Sequence, residues 1–98
     1  MPEIRFVVIH QPGPRWQAAL GLMEQEGLQD HIDHYRAFLA DGRLEAGGPF
    51  VDSSGGMMVA RAGVPREVVQ AHAEADPAVQ SGLLTFTVHP WMRAMQAP

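Results

Sequence analysis

The first apolar run of the chain, Ile4–Ile9, constrains the fold most, because it predicts a β-strand that is apolar on both faces. Side chains alternate along a strand, so every second residue from Ile4 points to one face, while Val7 and Ile9 point to the other. Each of the two faces therefore needs an apolar cover. The chain has 98 residues, a length typical of one domain, so we expect a single domain over residues 1–98.

Glycine and proline divide the rest of the sequence into short elements. The clearest helix pattern follows Gly27, where apolar residues recur at spacings of four, three and four. These residues are Leu28, Ile32, Tyr35 and Leu39. Gly42 is well placed to end this helix in a left-handed conformation. Residues 16–26 predict either a short helix or an ordered loop, because glycines interrupt a helical spacing there.

Three more strands and a second helix complete the pattern. The predicted segments are Arg43–Ala46, Met57–Ala62, the helix Glu67–Ala75 and the strand Leu83–Val88. We expect Pro12 to Pro14 to end the first strand, Pro65 to open the second helix and Pro90 to stop the last strand. The order predicts the α+β ferredoxin-like arrangement βαββαβ, a four-stranded antiparallel sheet with both helices on one face.

Two helices cover only one face of such a sheet, whereas the first strand is apolar on both. We therefore predict a homodimer in which sheet packs on sheet. The alternative is a monomer in which residues 10–26 fold over the second face.

Composition excludes several classes of function. Seven Lys and Arg residues against eleven Asp and Glu residues argue against a nucleic-acid partner. The lack of cysteine excludes disulfides, thiolate catalysis and cysteine-ligated metals. No apolar run approaches the ~20 residues of a membrane span, and the amino terminus is unlike a signal peptide. A cytoplasmic protein is expected.

Five histidines provide groups suited to proton transfer near neutral pH. His31 lies on the first helix between Tyr35 and Phe38, at the edge of the buried stripe, so its ring points inward. An inward imidazole needs a hydrogen-bond partner. Its partner is either a backbone carbonyl of the core or a functional group.

Asp76 precedes Pro77 at the end of the second helix. An aspartate followed by proline is a common start for a new helical turn. The same carboxylate is also suited to hold a histidine in one tautomer, as in a catalytic dyad. The two roles are compatible, because one oxygen can cap the turn while the other binds the ring.

The remaining histidines carry weaker signals. His34 lies nearer the solvent, and although His31 and His34 have metal-ligand spacing, Asp30 and Asp33 face mostly the solvated side, so no metal is predicted. His72 is interpreted as a packing residue on the second helix. His10 and His89 lie at strand ends that could border a cleft. No glycine pattern matches a nucleotide-binding loop, and no cofactor is predicted.

Several motifs, taken together, resemble the YCII-related family. They are His31-Ile32-Asp33-His34-Tyr35, Ala40-Asp41-Gly42-Arg43-Leu44, Ala46-Gly47-Gly48-Pro49-Phe50, Asp52 with Gly55-Gly56-Met57, Ala75-Asp76-Pro77-Ala78-Val79 and Val88-His89-Pro90-Trp91. The resemblance extends from Ile4 to about Met92. It implies a ferredoxin-like fold assembled as a dimeric α+β barrel, with a site built on His31 and Asp76. One relative in this family acts as a dehydrochlorinase on a chlorinated hydroxyquinol, and a similar group of barrels isomerises lactones.

These observations lead to one functional hypothesis and one alternative. His31 is the predicted general acid–base and Asp76 its orienting partner, in an isomerase, lyase or dehydrochlorinase acting on a small molecule. Backbone N–H groups of the Gly48–Phe50 turn are expected to bind a developing oxyanion. The predicted pocket residues are Gly48, Pro49, Phe50, Trp91 and His34. The alternative is a small-metabolite-binding or structural dimer module without catalysis.

Overall fold

A computed structural model describes residues 3–98 and shows the predicted order of elements. Along the chain these are β1 (Ile4–Pro12), α1 (Leu28–Ala40), β2 (Leu44–Pro49), β3 (Gly56–Ala60), α2 (Arg66–Glu74), α3 (Pro77–Gln80) and β4 (Leu84–Met92). The strands form one antiparallel sheet in the order β2-β3-β1-β4, which confirms the ferredoxin-like α+β fold. No helix of this described part is long and apolar enough to cross a membrane.

β1 and β4 are longer than the sequence predicts. They pair along their whole length, from Ile4 opposite Met92 to Pro12 opposite Leu84. The prediction that Pro90 stops the last strand is therefore wrong. β4 is an edge strand, and an edge tolerates a proline because its missing N–H can face away from the sheet.

The helix ends follow local backbone chemistry. α1 begins after Gly27 and ends before Gly42, and both glycines have the positive φ angles, 92° and 77°, that favour glycine. Pro65 precedes α2 as its N-terminal cap, one position earlier than a first-turn proline. Residues 16–26 form an ordered loop with one 3₁₀ turn, Leu22–Glu24. The buried amide of Gln25 donates to backbone carbonyls of this loop and holds it in place.

The apolar core lies between the helices and one face of the sheet. Its main cluster is Val8, Ala60, Val69, Ala73 and Val88. A second cluster of Leu28, Ala78, Leu83 and Leu84 lies beneath the start of α1. Trp16 and Leu22 of the long loop pack on this second cluster, on the helical side of the sheet. The loop therefore does not cover the opposite face, and the monomer arrangement expected as the alternative is wrong in this respect.

The opposite face of the sheet, which we call the open face, is apolar and carries no element of the described chain. Its cavity of about 410 Å³ is lined by Val7, Ile9, Met57, Val59, His89, Pro90 and Trp91. Arg5 lies on the same side of β1, where it donates to Glu3 at 2.6 Å and to Glu45 at 3.0 Å. Its charge is thus neutralised within the chain.

Candidate active site

His31 and Asp76, the two residues predicted for catalysis, lie in contact. His31 projects from the first turns of α1 towards the core and is only 7% exposed, while Asp76 is fully buried. Nδ1 of His31 donates to Oδ2 of Asp76 at 2.5 Å. A carboxylate oxygen accepts only, so this contact places the ring proton on Nδ1 and leaves Nε2 of the neutral ring with a lone pair.

Asp76 has two roles, one for each carboxylate oxygen. Oδ1 accepts the backbone N–H of Ala78 at 2.9 Å and caps α3, whose first residue is Pro77. Oδ2 is directed to His31. The capping interaction fixes the position of the carboxylate, so the local start of a short helix also orients the imidazole.

Electrostatics favour the ionised form of Asp76. Burial opposes its charge, but the hydrogen bond and charge of His31, together with the N–H of Ala78, outweigh that penalty. The pKa of Asp76 is therefore lowered from its usual value. A carboxylate that is ionised at neutral pH accepts a hydrogen bond from the Nδ1–H group and stabilises positive charge on the ring.

His10 and Tyr35 extend the site beyond the predicted pair. His10 is 1% exposed, and its ring centroid lies 5.0 Å from that of His31. Its Nδ1 lies 3.2 Å from the carbonyl oxygen of Thr85, and its Nε2 lies 3.3 Å from the hydroxyl of buried Tyr35. Burial lowers the pKa of His10 to about 4, so the ring is neutral near pH 7.

A cavity of about 450 Å³ opens beside His31. His31 and Tyr35 line it from α1, residues 44–49 form the wall along β2, and Met58 contributes from β3. Nε2 of His31 has no hydrogen-bond partner within residues 3–98, and no buried side-chain nitrogen or oxygen there lacks one, so Nε2 is accessible. The volume lies in the range typical of small-molecule sites.

Another cavity, of about 430 Å³, lies beside the long loop and is lined by Arg15, Glu26 and Pro77 among others. It contains neither His31 nor Tyr35. The cavity beside His31 is therefore the candidate site, because it alone of these two includes an accessible ring nitrogen with an orienting carboxylate.

Of the predicted pocket residues, two line the cavity beside His31 and three do not. Gly48 and Pro49 line the cavity beside His31. Phe50 lies outside it, next to two other cavities at the β2–β3 loop. Trp91 lines the cavity on the open face. His34 borders neither of these cavities, because its ring turns towards α2.

The backbone donors expected in the Gly48–Phe50 turn are not available there. Pro49 has no N–H, and the N–H of Phe50 donates to the carbonyl of Gly55 at 2.8 Å. Hydrogen bonding alternates along an antiparallel pair, so Gly48 bonds to Met57 opposite it and Gly47 directs its N–H outward. β2 is an edge strand, and Gly47 lines the cavity beside His31. Gly47 is therefore a backbone donor of this wall that β3 does not use.

His34 and His72 join the two main helices. Nε2 of His34 donates to the carbonyl of His72 at 2.6 Å, and Nε2 of His72 donates to the carbonyl of His34 at 3.1 Å. The two rings are stacked with centroids 3.8 Å apart, and Phe38 stacks on the other side of His72. Burial lowers the pKa of His72 to about 4. His72 is thus a packing residue, as the sequence indicated.

One group of side chains in the described part of the chain has the chemistry of a metal site. Ligand atoms of His10, His31 and Asp76 lie within 4.8 Å of one another. This set differs from the helical pair His31 and His34 considered from the sequence. Nδ1 of His31 is already paired with Asp76, and both nitrogens of His10 are paired with Thr85 and Tyr35, so Nε2 of His31 is the one ring nitrogen of this group without a partner in residues 3–98. These hydrogen bonds are sufficient to explain why the three side chains lie so close together.

Comparisons with known proteins agree with this fold. The sequence profile of the YCII-related domain family matches residues 4–92. Among solved structures, the chain is similar to 5-chloro-2-hydroxyhydroquinone dehydrochlorinase from Burkholderia phenoliruptrix, in complex with 2,5-dihydroxybenzoquinone. The sequence identity is 24% and the TM-score 0.53, covering 89% of this chain and 92% of that one, a likeness that supports the fold. No curated protein matches the chain at a significant level.

Proposed function

The chain belongs to the YCII-related domain family, and on that premise we propose that it is a small-molecule enzyme with a His31–Asp76 dyad. The observation that carries the proposal is the 2.5 Å hydrogen bond between the two side chains beside an open cavity. A buried carboxylate that orients an imidazole, whose second nitrogen is accessible, is an arrangement suited to general acid–base catalysis.

In the proposed reaction, Nε2 of His31 removes a proton from a hydroxyl or an activated C–H group of the substrate. The electron pair left on the substrate shifts towards a neighbouring electrophilic atom. In an isomerisation, Nε2–H then returns the proton to a different substrate atom. In a dehydrohalogenation, the electron pair forms a new π bond as halide leaves, and the histidine passes its proton to solvent.

In this scheme Asp76 stabilises a positive charge and Gly47 stabilises a negative one. Asp76 stabilises the imidazolium form of His31 during the proton transfer. The outward N–H of Gly47 is placed on the cavity wall, where it can donate to an oxyanion that develops on the substrate. The proton transfers use groups of the chain, the substrate and the solvent, so the proposal includes no cofactor.

The mostly apolar cavity supports a small, cyclic substrate. Leu44, Ala46 and Met58 contribute apolar surface to its lining. The similar structure from Burkholderia phenoliruptrix is a dehydrochlorinase with a bound benzoquinone, which is a ring molecule of suitable size. We include dehydrochlorination of a hydroxylated ring among the reactions that this site would catalyse.

The proposed functional unit is a homodimer that covers the open face. Val7, Ile9 and Val59 place apolar side chains there, and Met57 and Trp91 remain partly exposed beside them. A second copy would bury these side chains by packing sheet on sheet, which forms the dimeric α+β barrel.

The test is chloride release from 5-chloro-2-hydroxyhydroquinone and a panel of chlorinated hydroquinones under anaerobic conditions. We expect turnover by the unmodified protein, reduced on the order of 10²–10⁴-fold in His31→Asn. His34→Asn is the matched control, since His34 lies one helical turn away and outside the cavity. Turnover by His31→Asn at the rate of the unmodified protein would refute the dyad. Binding of these compounds without any turnover would favour a non-catalytic binding module.

A further inference from the structure

Tyr35 is a buried polar residue that the proposed proton transfer does not use. It borders the same cavity as His31, and the centroids of the Tyr35 and His31 rings lie 5.3 Å apart. Its hydroxyl has one hydrogen-bond partner in the described chain, Nε2 of His10, at 3.3 Å. The direction of that hydrogen bond decides what Tyr35 can offer to a ligand.

The direction follows from the other side of the His10 ring. Nδ1 of His10 faces the carbonyl oxygen of Thr85, which accepts only, so Nδ1 carries the proton. A neutral imidazole then has a bare Nε2, which must accept from its partner. Tyr35 is therefore the donor to His10. Burial of His10 and Tyr35, which lowers the pKa of the histidine and raises that of the phenol, keeps both groups neutral.

A tyrosine hydroxyl has one proton and lone pairs that can accept. Because its proton is directed to His10, the Tyr35 oxygen can only accept from a third group. We propose that Tyr35 is a specificity-determining residue that accepts a hydrogen bond from the ligand, and that His10 is the positioning residue that holds the Tyr35 proton away from the cavity. This inference rests on the small-molecule site of the proposed function, although it requires no turnover.

The proposal defines a class of ligand. A suitable ring carries one hydroxyl for Nε2 of His31 and a second hydroxyl or N–H group that donates to Tyr35. A carbonyl or ether oxygen at the second position meets another acceptor and leaves that contact unpaired, which weakens binding. The site therefore distinguishes a diol from its monomethyl ether, two rings that differ in one donor.

The experiment is isothermal titration calorimetry with catechol, resorcinol and hydroquinone, each paired with its monomethyl ether. For at least one pair, we expect the diol to bind the unmodified protein roughly three- to tenfold more tightly than the ether, the value of one neutral hydrogen bond. In Tyr35→Phe, which keeps the ring and removes the oxygen, the two members of that pair should bind equally. Equal or weaker binding of all three diols, including no detectable binding, overturns the proposal.

His10→Asn tests the positioning role separately. The asparagine amide can still donate to the carbonyl of Thr85, but it is too short to accept from Tyr35. The released Tyr35 proton should then favour the ether, so the diol preference falls while Tyr35 itself is unchanged. A diol preference as large as in the unmodified protein would refute the positioning role of His10, because that is the result expected if His10 had only a structural role.

Two further measurements distinguish this proposal from the dyad. In His31→Asn both members of the pair should bind more weakly, because each loses the same contact with Nε2, but the ratio of their affinities should persist, because Tyr35 and His10 are intact. The ¹⁵N NMR spectrum of the unmodified protein should show His10 protonated on Nδ1 and bare on Nε2. The opposite tautomer would overturn the proposal whether or not the protein is an enzyme.

Discussion

Asp76 accepts a hydrogen bond from His31 at 2.5 Å, although the two residues are 45 positions apart in the sequence. The same carboxylate caps α3 through Ala78. One side chain thus connects the start of a short helix with the candidate base on α1. Changes at Asp76 should therefore affect stability and chemistry to different extents, depending on which oxygen the substitute replaces.

Asp76→Ala and Asp76→Asn separate these two effects. Alanine removes the cap and leaves the buried Nδ1–H of His31 unpaired, so we expect a loss of about 2–4 kcal/mol in the free energy of unfolding. Asparagine keeps an oxygen for Ala78 but presents an N–H₂ group to His31, which reverses the ring tautomer and blocks Nε2. Asp76→Asn should therefore be nearly as stable as the unmodified protein while losing roughly 10³-fold or more in turnover.

Urea unfolding and chloride release measure the two quantities on the same preparations. Similar losses of stability in the alanine and asparagine variants would show that the cap contributes little. Full turnover by Asp76→Asn would remove Asp76 from the mechanism.

The His31–Asp76 pair is predictable from the sequence because each residue has a local signal. His31 lies at the edge of the apolar stripe of the first helix, and Asp76 precedes a proline at a helix end. The family resemblance then pairs them. His10 lacks such a signal as long as β1 is expected to end at Ile9. Once β1 is extended, the alternation that turns Phe6 and Val8 towards the helices also turns His10 inward.

The extension itself could not be predicted locally. β1 reaches Pro12 because β4 pairs with it over its whole length, and β4 continues through Pro90 because it lies at the sheet edge. Both facts depend on strand order, which is a non-local property. The outward direction of the Gly47 N–H could not be predicted locally either, because it follows from the register between β2 and β3.

Acid should destabilise the protein through His10. Its ordinary pKa of 6.5 falls to about 4 in the fold, chiefly because of burial. Between those pH values the unfolded chain binds a proton that the folded chain does not, so stability is complete above pH 6.5 and declines as the pH falls towards 4. For this nearly unexposed ring the loss is roughly 3 kcal/mol.

The difference in unfolding free energy between about pH 7 and about pH 4.5 measures this contribution. It should shrink in His10→Asn, which has no titrating ring. His72, whose pKa is also lowered to about 4, should preserve part of the slope. An unchanged slope in His10→Asn would contradict the assignment.

Dimer formation through the open face should be sensitive to a charge at Val59. Val59→Asp places a carboxylate among Val7, Ile9 and Met57, where a packed partner would bury it without a counter-charge. We expect sedimentation velocity to show a dimer for the unmodified protein and a folded monomer for Val59→Asp. The control is Val51→Asp, the same change at a fully exposed position between β2 and β3.

A monomeric unmodified protein would refute the dimer. Equal dissociation by the Val59 and Val51 variants would show instead that charge alone, and not its place on the open face, separates the subunits.

Two adjacent glycines of the cavity wall should respond differently to alanine. A Cβ at Gly47 would lie 2.2 Å from Sδ of Met58, whereas a Cβ at Gly48 meets no atom within 4 Å. Met58 packs against both the core and the cavity, so Gly47→Ala must displace it, at a cost of about 1–3 kcal/mol. Gly48→Ala should change stability by less than about 0.5 kcal/mol. Urea unfolding of the two variants provides the comparison, and equal stabilities would show that Met58 moves without cost.

Because the displaced thioether would turn into the cavity, Gly47→Ala should also weaken binding of the dihydroxybenzenes in calorimetry, an effect that Gly48→Ala should not reproduce.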